Sequence, residues 1–164
     1  MNKLILTNLK IRDLLAAHNQ LDGYNEIVEQ NGQKSAARKP YTFTVKTTWN
    51  ITKNIKVLRE HVEEANKARD ELLKVLSGGT NEIDGEKEPE KLREFQKGVT
   101  EIEEIEVEVY GLLVLKAADI LNGDLSETED KDKKPDKRIP NPIPGTALAS
   151  LSPVLDLFRQ EVKE

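Results

Sequence analysis

The chain has no cysteine. That removes disulfides, thiolate metal sites and cysteine nucleophiles together, and it agrees with a reducing compartment. Aromatic residues are scarce, at 4% with a single tryptophan, so no base-stacking platform for single-stranded nucleic acid is expected. The formal net charge of −5 argues in the same direction, because nucleic-acid binding needs a basic face to displace counterions. No apolar run approaches the length of about 20 residues that spans a bilayer. The opening run Met1–Leu6 is too short for a signal peptide, and Asn8 and Lys10 follow at once. Familiar catalytic patterns are missing too. Ser77-Gly78-Gly79-Thr80 follows a helical pattern and lacks the lysine of a phosphate loop, and no serine sits in a nucleophile elbow. Glu101, Glu103, Glu104, Glu106 and Glu108 cluster, but with only two distant histidines they read as a solvated face. The expectation is a non-enzyme with no cofactor, no metal and no membrane span.

What is present is charge and helical periodicity. With 34% charged and 37% hydrophobic residues in 164, the composition suits one helical domain with a thin core. The organising stretch is Thr47–Leu76. Ile51, Ile55, Leu58, Val62, Leu72 and Leu76 recur in steps of three and four, with Ala65 and Ala68 between them and Arg69 interrupting. This places one narrow apolar stripe on a helix of about 45 Å, as in a coiled-coil seam. Spaced charges such as Lys56 with Glu60, Arg59 with Glu63 and Asp70 with Lys74 would solvate its outer face. His61 has Glu60, Glu63 and Glu64 as neighbours, too few convergent ligands for a metal.

Around that helix the chain is read in order. Thr7 caps a helix over Asn8–Gln20, with Ile11, Leu14, Leu15 and His18 on one face and Gly23 after its end. His18 reads as a packed histidine, since no acidic or histidine partner lies a turn away. Asn31-Gly32 marks a hairpin tip between Glu26–Glu29 and a later strand. Tyr41, Phe43 and Val45 alternate with threonines as a half-buried strand that feeds the long helix, capped by Thr47 or Thr48. Pro89 opens a second helix bearing Leu92, Phe95, Val99 and Ile102, which should fold back on the first as an antiparallel hairpin. Ile105–Val109 then alternate as a strand that continues through Leu112–Leu115. Its natural partner is Tyr41–Val45, with the N-terminal lead as the alternative.

Residues 122–144 are rich in charge and proline and read as a flexible insert. Thr146 caps a terminal helix, and Ser152-Pro153 starts another, with Leu148, Leu151, Leu155, Phe158 and Val162 inward. The expected fold is therefore mainly α with a small β element. A long antiparallel helical hairpin carries a short sheet and the terminal helices at its base. Residues 1–121 and 145–164 form this domain, and 122–144 leave it.

One order of features resembles a known group. A leucine-rich start (Leu4, Leu6, Leu9) precedes the helix opening Lys46 through Leu58, followed by Ala68-Arg69-Asp70-Glu71-Leu72 and Phe95-Gln96-Lys97. Glu104–Val109 and a closing Ala147–Leu151 complete it. The pattern resembles small proteins of tailed bacteriophages without assigned function. It implies a phage setting, in the host cytoplasm or the virion, and carries over no catalytic residue.

The function expected from these features is protein–protein contact in a virion or in its assembly, with self-association into a homo-oligomer through the seam. A phage inhibitor that binds a host defence protein or sequesters a small nucleotide signal is the alternative. Trp49 is the single candidate for an exposed contact, a core position being the ordinary alternative.

Overall fold

The computed structural model describes residues 3–30, 32–121, 141 and 143–156. Most of the expected insert lies outside them, as do Phe158 and Val162. Among the described residues the chain is mainly helical, with two small antiparallel sheets. In order these are β1 (Lys3–Thr7), α1 (Asn8–Gln20), β2 (Tyr24–Gln30), β3 (Gln33–Lys39), α2 (Val45–Leu76), α3 (Pro89–Glu104), β4 (Glu106–Tyr110), α4 (Ala117–Leu121) and α5 (Gly145–Leu151). They gather into two compact units, Met1–Asp13 with Lys56–Gly111, and Leu14–Ile55 with Leu112–Glu164.

In the first unit β1 pairs with β4, Leu4 opposite Val109 and Leu6 opposite Val107. Alternation puts these four on one face. Leu6 and Val109 are buried there, whereas Ile5 and Tyr110 are exposed on the other. The Thr7 hydroxyl accepts the Lys10 N–H at 3.2 Å and caps α1 as its position predicts. α3 begins at Pro89, whose missing N–H is no loss in a first turn. Gly98 in α3 faces the Leu72 side chain of α2 so closely that a Cβ would collide with it. The Arg69 guanidinium lies 6.0 Å from the Phe95 ring centroid. None of the residues of α3 is fully buried.

In the second unit β2 and β3 form a tight hairpin, with Gly32 at φ +77° in its tip. Rings of Tyr24, Tyr41 and Phe43 follow one another at 5.2 and 5.8 Å between centroids. Leu14, Ile51, Leu112, Leu115, Ile120, Leu151, Val154 and Leu155 make the core. Leu115 forms a parallel bridge with Leu155.

Several expectations are corrected. Tyr41–Val45 is not a strand and does not pair with Ile105–Val109; β4 takes the N-terminal lead instead. The Thr42 N–H and C=O are both satisfied by the Asn141 side-chain amide, at 3.2 and 3.1 Å, which does the work of a neighbouring strand. The long helix starts at Val45 and its cap is Thr44, not Thr47 or Thr48. Thr44 Oγ1 accepts the Thr47 N–H at 3.1 Å. Leu112–Leu115 does not continue β4, because Gly111 at φ +80° turns the chain out of the ladder. Thr146 caps nothing: α5 begins one residue earlier and Pro144, at its N-cap, supplies no side-chain bond. Finally, among the described residues, none of the spaced charges on α2 named above closes to an ion pair. Such exposed pairs gain only a few tenths of a kcal/mol against side-chain entropy.

Candidate functional site

The first turns of α2 present two opposite faces. Thr47, Ile51, Asn54 and Leu58 follow in steps of four, three and four and are all buried. Helical geometry sends Val45, Trp49 and Lys53, spaced by four, to the other side. Val45 is 83% exposed and Trp49 59% exposed. The Lys53 ammonium sits 4.6 Å from the Trp49 ring centroid, attracted to the negative face of the indole. Lys46 is exposed beside them, and the first carboxylate along the helix is Glu60. The face is therefore an aromatic anchor with a cationic border, at the positive end of the helix dipole.

Behind it the helix is fixed by a buried polar network. The Asn54 side chain accepts the Leu113 N–H at 2.7 Å and donates to the Leu113 C=O at 2.9 Å. Its amide also lies 3.2 Å from His18 Nε2. Since that amide nitrogen only donates, Nε2 must be the acceptor, and the ring proton sits on Nδ1, donating to the Leu14 C=O at 2.8 Å. His18 is thus a neutral, packed histidine. Burial pushes its pKa down to about 4, against a smaller upward pull from the Leu14 carbonyl. Asn50 adds a bond of 3.2 Å to the Val114 C=O.

The expected seam residues fall in three environments. Ile51 and Leu58 are buried; Ile55, Val62, Leu72 and Leu76 are half-buried; Trp49 is exposed. Ile51 and Leu58 belong to the buried face just described, whereas Trp49 stands apart from it. Asn54 is not among the expected site residues, yet the sequence carries its signal: a polar residue midway between Ile51 and Leu58 on an apolar stripe. Val45 is absent from them because its alternation with Tyr41 and Phe43 reads as a strand.

A second feature lies in the first unit, a small open cleft of about 50 Å³ between Arg12, Asn66, Arg69, Val99 and Glu103. It has room for a water or two, well below ligand scale, and Arg12 is already paired with Glu103. His61 Nδ1 stands 4.0 Å from Glu64, its one carboxylate contact among the described residues. Among the described residues no three His, Asp or Glu side chains converge as metal ligands, and no helix is long and apolar enough to cross a membrane.

No protein-family model, curated protein or solved structure matches this chain.

Proposed function

We propose that this is a non-enzymatic phage protein that works by protein–protein contact, as a virion component or an assembly accessory in the host cytoplasm. The contact is made by Val45, Trp49 and Lys53. The observation that carries this reading is the exposure of Trp49 on the face opposite the buried one. A large ring left in water forgoes substantial burial, and exposed Trp is the residue type most enriched at the centres of interfaces. The phage setting rests on the resemblance given above. In this reading α2 and α3 make an antiparallel hairpin with the β1–β4 sheet at its base, and the half-buried seam residues Val62, Leu72 and Leu76 bury further on self-association.

Native mass spectrometry of the chain recovered from phage-producing cells, as wild type and Trp49→Ala, tests the reading. A bound copy or phage protein that is lost in the variant is the expected result, with far-UV circular dichroism unchanged. A stoichiometric host enzyme would move the reading to a phage inhibitor. No Trp49-dependent partner at all would overturn it.

A further inference from the structure

We infer that the Val45–Trp49–Lys53 face docks on a second copy of this chain, against the carboxylates at the junction of α3 and β4. This rests on the face being a protein contact, as proposed above, and names its occupant.

Both surfaces carry charge where their own helix disfavours it. α2 opens with Lys46 and has no acidic residue in its first turn, although cations oppose the positive end of the dipole. α3 closes with Glu101, Glu103 and Glu104 and has no basic residue in its last turn, although carboxylates oppose the negative end. Pairing within the chain neutralises part of the acidic set: Arg12 takes Glu103, Lys3 takes Glu108 at 2.6 Å, and Lys97 reaches Glu101 at 3.8 Å. Glu104 and Glu106 stay exposed, as do Lys46 and Lys53. Among the described residues none of these four lies within 4.0 Å of an opposite charge.

Each set lacks what the other supplies. Where the lysines of one copy meet the glutamates of another, both sets are compensated. Trp49 and Val45 add the apolar area that charge alone would not. A nucleic acid fits this face less well, because the chain as a whole carries −5 and repels a polyanion. A membrane surface fits less well again, since two apolar side chains are little for an interfacial helix to bury.

Sedimentation velocity of the full chain over graded concentrations, with tryptophan emission read on the same samples, tests the inference. Trp49 is the sole tryptophan, so its emission reports this face and no other. The wild type is expected to associate, with a blue shift that follows association, and to weaken as salt rises from about 0.05 to about 0.5 M. K46E/K53E and E104K/E106K should each weaken association by about tenfold or more, through like-charge contacts. The variant combining all four should return to within about threefold of wild type. Circular dichroism confirms that each variant is folded.

A wild type that stays monomeric overturns the inference. So does association that leaves the emission unmoved, or a combined variant as weak as its parents. A monomeric chain that still shows a Trp49-dependent partner in the cell extract loses only the self-docking. A chain with no Trp49-dependent partner in either experiment loses the contact itself.

Discussion

Acid should unlock the second unit at one identifiable residue. His18 is 1% exposed, and its Nε2 faces the amino group of Asn54. Protonation would set two donors against each other. Asn54 cannot turn its oxygen round without abandoning the Leu113 N–H. Burial of the ring, above all, holds its folded pKa at about 4, against an ordinary 6.5. Above pH 6.5 the ring is neutral in both folded and unfolded chains, and its full contribution is present. As the pH falls from 6.5 toward 4 the unfolded chain gains a proton that the folded chain refuses, so stability falls. Below 4 both are protonated and the loss is complete. At about 1.4 kcal/mol for each pH unit, the interval amounts to about 3 kcal/mol, of which about 2 is gone by pH 5. A domain has only about 5–15 kcal/mol in all. Urea unfolding of the wild type and His18→Gln at pH 7, 5 and 4 isolates this share, because the carboxylates titrate alike in both. The wild type should lose about 3 kcal/mol relative to the variant between pH 7 and 4. A difference constant to within about 0.5 kcal/mol, or an imidazole that titrates near 6.5 by NMR, would refute the reasoning.

Two substitutions probe the remaining packing. Asn54→Ala strips partners from the Leu113 N–H, the Leu113 C=O and His18 Nε2, and with about 1–3 kcal/mol for each buried group left unpaired the loss should reach about 3 kcal/mol or more. Amide exchange should show it first at Leu113, and unchanged protection there would contradict the network. Leu58→Ala empties a site that is 0% exposed and should cost about 3–5 kcal/mol, whereas the same change at Val75, 76% exposed, should stay within about 0.5; thermal denaturation of the two variants decides it.

Helix starts are legible in the sequence from local signals. Thr7 before an apolar periodicity and Pro89 after an acidic residue each define a helix start from a few neighbouring residues, and both helices begin there. Partnership was harder, because it depends on distant groups. Nothing near Tyr41 and Phe43 announces that Asn141 will satisfy the Thr42 backbone, so their alternation reads as a strand in search of a neighbour. The Ser35-Ala36-Ala37 run inside β3 has no strand-like pattern, because β3 is exposed along nearly all its length and alternation there has little to bury. At the candidate site, Trp49 could be named from its type alone. Its side of the helix was legible as well, because the spacing from Trp49 to Ile51 and Leu58 sets it opposite them wherever α2 begins; only the place of Val45 beside it depended on the helix start.

The two small sheets also set an order of events in folding. β2 and β3 are joined by a tip of two residues, Gln30 opposite Gln33, and a hairpin of that kind closes on the order of microseconds. β1 must wait for β4, with Lys3 and its partner Glu108 105 positions apart. Loop closure over that distance is entropically expensive and slow. On the ribosome, at about 5–20 residues per second, Leu4 and Leu6 would stay uncovered for several seconds before Val107 and Val109 emerge. The β1–β4 sheet is thus the pairing of the first unit that synthesis permits last, and until then the apolar face of β1 has no strand to cover it.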